Sequence, residues 1–114
     1  MYLLVDVLEQ TEHLPGVLEG FAKIGVTGTT VLDSMGMGRI LTLSGAKVPA
    51  IETIQEVLAR GKPTNKTIFA VIRDEETMHK AIDVIRSFCG DLNEPGKGIL
   101  FSFGLDHVEG LIET

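Results

Sequence analysis

The sequence predicts an α+β fold in which a four-stranded antiparallel sheet carries two helices on one face. Four short runs rich in apolar and β-branched residues are present, and helical periodicity follows the first and the third of them. These segments follow the order β-α-β, a long excursion, and β-α-β again. The 114 residues, of which 44% are hydrophobic, suffice for one domain, residues 1–114, and are too few for two ordinary ones.

The first half begins with a strand and a helix. Residues 2–8 form an apolar run whose one face, Leu3, Val5 and Val7, is continuously hydrophobic, which predicts a buried strand. Helical periodicity then appears at Leu14, Val17, Leu18, Phe21 and Ile24. Thr11 is the candidate N-cap and Gly25 the expected stop, while Pro15 and Gly16 predict a late start.

The second half repeats this pattern after another strand. Residues 27–35 are rich in β-branched side chains and predict the second strand, and the continuously apolar centre of 66–74 predicts a third strand with both faces covered. Asp74 is expected to cap a helix that ends at Gly90. Its apolar face consists of Met78, Ala81, Ile82, Ile85, Phe88 and Cys89. Residues 98–105 predict the fourth strand.

Two βαβ-like halves of matching length predict the ferredoxin-like βαββαβ arrangement, with an antiparallel sheet and both helices on one face. Such a sheet leaves alternate apolar side chains on its other face with nothing in the chain to cover them. Another subunit is the simplest cover, so we expect an oligomer.

The excursion, residues 40–65, is too long for an ordinary unstructured loop. Pro49 suits a first helical position, and Gly61 suits a stop. Between them Ile51, Ile54, Val57 and Leu58 form one apolar stripe. We therefore expect a short helix, which either docks on the domain or moves with a ligand or partner.

Charge and composition limit the classes of function. The net charge of −6 argues against nucleic acid as a partner, whereas the segment 39–66 carries five basic residues against two acidic ones. That segment either binds a small anion or an acidic partner, or is a solvated loop.

The sequence also bears on location. No apolar run reaches the roughly 20 residues of a membrane span, and Asp6 and Glu9 interrupt the first apolar run. We therefore expect no membrane insertion and a cytoplasmic location. The single cysteine, Cys89, is expected to be a core thiol in a reducing compartment.

No catalytic arrangement is recognisable in the sequence, which predicts a protein that is not an enzyme. The histidines His13, His79 and His107 are widely spaced, and no nucleophile motif or P-loop is present. Asp106 and His107 are the few residues that support an alternative, a divalent-metal-binding trimer of related fold.

Two glycine turns are the candidates for ligand binding. Gly36 and Gly38 flank Met37 directly before Arg39, and Gly96 and Gly98 flank Lys97. Glycines permit positive φ and close backbone approach, so main-chain N–H groups can point at a phosphate while arginine adds a charged fork. Both turns are expected at one side of the molecule, closer together between neighbouring subunits than within one. Either an anion site, which Lys66 would join, or two plain bends fits this pattern.

Two stretches carry a resemblance to a known family. "IGVTGTTVLDSMGMGR" at 24–39 and "GKGILFSF" at 96–103 resemble the nucleotide-binding segments of the PII nitrogen-regulatory signalling proteins, the first leading into their T-loop and the second containing their B-loop. The resemblance implies a homotrimer that binds ATP, ADP or AMP in a cleft between subunits and acts on a target protein, such as a transporter or enzyme, through the T-loop. Carried over, the residues beside the nucleotide are Thr30, Gly36, Met37, Gly38 and Arg39, with Gly96, Lys97 and Gly98 near its phosphates.

The chain also departs from the family pattern. Lys97 replaces the acidic residue between the B-loop glycines, and the segment "LDHVEGLIET" lacks the arginines that contact phosphates in the family. The T-loop tyrosine is also missing, since the only tyrosine is Tyr2. These departures predict a divergent member whose T-loop is replaced by a segment with its own helix.

Overall fold

The computed structural model of the protein describes residues 1–37, 40 and 65–112. The elements are β1 (Tyr2–Leu8), a 3-10 turn (Thr11–His13), α1 (Leu14–Lys23), β2 (Thr29–Ser34), β3 (Asn65–Ile72), α2 (Glu75–Cys89) and β4 (Ile99–Gly104). The strands form one antiparallel sheet in the order β2-β3-β1-β4. The predicted α+β architecture is confirmed, and this order is compatible with a ferredoxin-like fold. The short helix expected between Pro49 and Gly61 lies outside the described residues.

The first helix begins late, as the sequence predicts. Residues Thr11–His13 form the 3-10 turn, and α1 starts at Leu14 with Pro15 in its first turn, where the missing N–H costs nothing. Thr11 is therefore not the N-cap, a position that His13 occupies without a capping side-chain hydrogen bond. At the other end Gly25 takes φ +85° and donates its N–H to the Ala22 carbonyl, as expected of a glycine stop.

The second helix has both predicted ends. The Asp74 carboxylate accepts a hydrogen bond from the Thr77 N–H at 2.7 Å, and Gly90 follows the last turn with φ +75°. The Gly90 N–H donates to the Arg86 carbonyl at 2.8 Å. Its buried residues, Met78, Ala81, Ile85 and Cys89, belong to the predicted apolar face.

Two glycines of α1 let the helices approach closely. A β-carbon on Gly20 would stand 2.6 Å from Val84 Cγ1, and one on Gly16 would stand 2.5 Å from Phe88 Cε1. These glycines are four residues apart and so lie on one side of α1, against α2. Their role is packing between the helices.

The core lies between the helices and one face of the sheet. Along β1 the inward positions are Leu4, Asp6 and Leu8, which are 2%, 1% and 0% exposed. The face of Leu3, Val5 and Val7, which the sequence pattern singles out as buried, is the outer one and is only partly buried. The pattern is misleading here because the inward face carries a carboxyl group. The outer face of β3 is likewise only half-buried, so the expectation that both its faces are covered is not met within the described residues.

Candidate functional site

The register of the sheet places the end of β2, after which the first glycine pair follows in the sequence, and the start of β4, which the second glycine turn precedes, at one end of the molecule. Ser34 at the end of β2 lies opposite Asn65, and Ile99 at the start of β4 lies opposite Val7. Since Val7 of β1 pairs with Thr67 of β3, close to Asn65, these two residue pairs lie at the same end of the sheet. The end of β2 and the start of β4 lie at opposite edges of the sheet, three strand spacings or about 14 Å apart. One chain therefore presents two separate halves of the predicted site.

The second glycine turn is shaped by the fold itself. Gly98 has φ +88°, and a β-carbon there would stand 1.9 Å from the Val7 carbonyl oxygen. Gly96 has φ +79° but faces open space. Glycine at 98 is thus required by backbone packing against β1, whereas glycine at 96 is required only by its conformation. Lys97 between them is partly buried.

The first glycine turn has a different character. Gly36 does not take a positive φ, and its nearest potential contact is Asn65 Nδ2, 3.8 Å from an ideal β-carbon. The left-handed backbone that the Gly-x-Gly pattern allows is therefore not used at Gly36. Met37 is 75% exposed, while Gly38 and Arg39 lie outside the described residues.

Two further candidate residues project from opposite faces of the sheet. Thr30 pairs with Phe69 and stands exposed on the outer face. Lys66 lies three positions from Phe69 along β3, which places it on the inner face, where it forms an ion pair with Asp33 of β2. Within one chain these side chains do not join in a single site. An anion at Lys66 would compete with the Asp33 carboxylate.

The outer face of the sheet is an uncharged surface. Alternation along the four strands places on it Leu3, Val5, Val7, Thr30, Leu32, Ser34, Asn65, Thr67, Phe69, Val71, Ile99, Phe101 and Phe103. Leu32 at one edge and Ile99 at the other are 52% and 57% exposed. An exposed face with this many large apolar side chains is typical of interaction surfaces. We call these thirteen residues the outer face.

A groove of about 260 Å³ lies at the other end of the sheet from the glycine turns. The loop before β2, the end of β3, the first turn of α2 and the C-terminal segment line it. Leu111 reaches across this end and would stand 3.0 Å from a β-carbon on Gly28. None of the candidate ligand residues lines this groove.

Asp6 is a chemically distinctive residue that the sequence reasoning did not treat as a candidate. It is 1% exposed, and neither carboxylate oxygen has a hydrogen-bond partner among the described residues. Burial raises the pKa of this carboxyl to about 6. The signal that could have found it is its place between Leu4 and Leu8 on alternate positions of β1.

The histidines and the cysteine do not gather into a metal-binding group in the described ranges. His79 and His107 stand beside Glu75 and Glu109, at 3.5 and 3.2 Å, and His13 packs beside the Phe88 ring. No group of three metal-ligating side chains occurs among residues 1–37, 40 and 65–112. Cys89 is a buried free thiol, and burial raises its pKa.

Comparisons with models of known protein families and with curated proteins found no match to this chain. No helix in the described part is long and apolar enough to cross a membrane.

Proposed function

We propose that this chain is a divergent PII-like regulatory protein. Three copies close into a ring through their outer faces, a small anionic ligand binds in each cleft between subunits, and residues 40–65 transmit occupancy to a target protein. Adenine nucleotides are the first ligands to test. The proposed role is signal transduction by binding, without turnover.

One observation carries this proposal: the end of β2 and the turn before β4 stand at the same end of a sheet whose outer face is uncharged and mostly apolar. Water contact with that face is costly, at about 25 cal/mol for each Å² of apolar surface. Burying it against copies of the same chain removes this cost and brings turns from different chains together. A heterologous ring contact joins two different surface patches, so the β2 edge of one chain can meet the β4 edge of the next.

The chemistry of the two halves suits an anion. The turn before β4 offers Lys97 and the backbone of Gly96, and the sequence after β2 supplies Gly38 and the guanidinium group of Arg39. A guanidinium forms paired hydrogen bonds with phosphate oxygens, and an ammonium group adds a point charge. The net charge of −6 over the whole chain would repel polyanions, which favours a small ligand in a confined cleft.

Sedimentation velocity and calorimetry test the proposal together. We expect a trimer at micromolar concentration and saturable binding of at least one of ATP, ADP and AMP, with up to one site per chain. Arg39→Ala should weaken that binding at least tenfold, whereas Lys80→Ala, which removes an exposed lysine of α2, should leave it unchanged. A stable monomer that binds none of these nucleotides would overturn both the assembly and the ligand.

A further inference from the structure

Asp6 occupies the centre of the sheet on its inner face. β1 is flanked by β3 and β4, and the cross-strand neighbours of Asp6 are Ile68 and Leu100. On its own strand the adjacent inward residues are Leu4 and Leu8, both buried. A carboxyl group therefore stands in the position of a core hydrophobic residue.

No described group compensates the polarity of this side chain. Both oxygens are buried without a hydrogen-bond donor among residues 1–37, 40 and 65–112. An isolated carboxylate is far more costly to bury than a neutral carboxylic acid, so the group resists ionisation. Consistent with this, its pKa is raised from 3.8 to about 6 by burial alone.

The elements packed around Asp6 bring few titratable groups near it. β3 and β4 present Ile68 and Leu100, and α1 contributes the apolar Val17 and Phe21 to this core. The titratable neighbour on α2 is the Cys89 thiol, whose pKa burial raises and the negative charge of Asp6 raises further. Lys97 and Glu12 act on the same thiol in opposite directions and more weakly than Asp6.

We propose that Asp6 is a proton-responsive element of this fold. The core accepts it as a neutral acid, and its ionisation loosens the packing of the C-terminal end of α2 around Cys89 over the centre of the sheet. This proposal does not depend on the proposed function, since the inner face lies within one chain.

The sign of the pH effect follows from proton linkage. Between pH 4 and 6 the folded chain binds more protons at Asp6 than the unfolded chain, so this residue's contribution to stability falls as the pH rises and is lost above about pH 7. The pKa of Asp6 is about 6 in the folded chain and 3.8 in the unfolded chain. A pH rise that spans both values therefore raises the unfolding equilibrium constant by about a hundredfold. Asp6→Asn keeps the shape and removes the titration.

Denaturant unfolding of the wild type, Asp6→Asn and Asp83→Asn from pH 4 to 8 provides the equilibrium test. Asp83 is an exposed carboxylate of α2 and serves as the matched control. We expect Asp6→Asn to gain about a hundredfold in folding equilibrium relative to the wild type on going from pH 4 to 8, and Asp83→Asn to follow the wild type. Parallel pH profiles for Asp6→Asn and the wild type would overturn the proposal.

Thiol labelling of the native protein gives a second measurement that does not require the variant to be stable. Cys89 is the only cysteine, so a dithiodipyridine reagent reports on this site alone. In the wild type the protection of Cys89, measured against the unfolded chain at the same pH, should fall as the pH passes 6. Protection that stays constant from pH 5 to 7 would contradict the inference.

Discussion

Gly98 lies so close to Val7 that a β-carbon on the glycine would stand 1.9 Å from the Val7 carbonyl oxygen. This backbone contact fixes the turn before β4 against the end of β1, and it holds Lys97 at the end of the sheet where β2 also finishes. The geometry of this half-site is therefore determined by the fold.

Gly98→Ala should destabilise the protein by about 3 kcal/mol or more, because it adds backbone strain at positive φ to a clash with main-chain atoms. Gly96→Ala is the matched control, since Gly96 shares the positive φ but faces open space, and it should cost about 1 to 2 kcal/mol. Thermal or denaturant unfolding measures both. Equal costs at the two positions would mean that the contact with Val7 is not present.

The outer face supplies a prediction about assembly. Leu32→Glu and Phe101→Glu place a charge on exposed positions at opposite edges of this face, so each should weaken association at least tenfold, or about 1.4 kcal/mol, with little change in the fold of one chain. Ser102→Glu is the control, because Ser102 is exposed on the other side of β4. Sedimentation over a concentration series measures the result. Dissociation by Ser102→Glu alone would place the interface on the inner side.

The cap of α2 supplies a prediction about pH in the direction opposite to that for Asp6. The hydrogen bond from the Thr77 N–H lowers the pKa of the Asp74 carboxyl group. The stabilisation of α2 by this cap is therefore fully present above the ordinary carboxyl pKa, and it is lost as the pH falls through the lowered pKa of Asp74. Asp74→Ala should lower the melting temperature at pH 7, and Asp74→Ser should restore most of it. A melting temperature unchanged in Asp74→Ala would show that the cap does not stabilise the helix.

Helix packing supplies a further prediction through Gly20 and Val84. Gly20→Ala gains helix propensity but forces its β-carbon against Val84 Cγ1, so the net loss should be about 1 kcal/mol. Val84→Ala removes the obstructing methyl group. In the double variant the two changes should couple by at least about 0.5 kcal/mol in the free energy of unfolding. Simple additivity would indicate that the helices are farther apart.

The fold was largely predictable because its elements carry local signals. Asp74 and Gly90 mark the ends of α2 in the sequence, and Pro15 and Gly16 predict the late start of α1. The face of β1 was not predictable from its pattern, because the more continuously apolar alternation belongs to the outer side and the inner side contains Asp6. Burial of a carboxyl group is decided by tertiary packing, which a single strand pattern does not encode.

The candidate site was predictable only in outline. The glycine spacing indicated two turns, and the sheet register brings the end of β2 and the start of β4, which adjoin them in the sequence, to one end. The sequence could not tell that Thr30 and Lys66 face opposite sides, because that follows from the pairing of β2 with β3 across a long segment. Nor could it tell that Gly98 serves a main-chain contact, since this requires the position of Val7.

The central position of β1 has a consequence for biogenesis. Residues 2–8 are made before both of their pairing partners, residues 66–72 and 99–104. While the ribosome is still producing β4, β1 lacks one of its two neighbours, and the high contact order predicts slow folding. One edge of β1 therefore stays unpaired in the nascent chain until residues 99–104 have been made, which prolongs the exposure of this largely apolar strand.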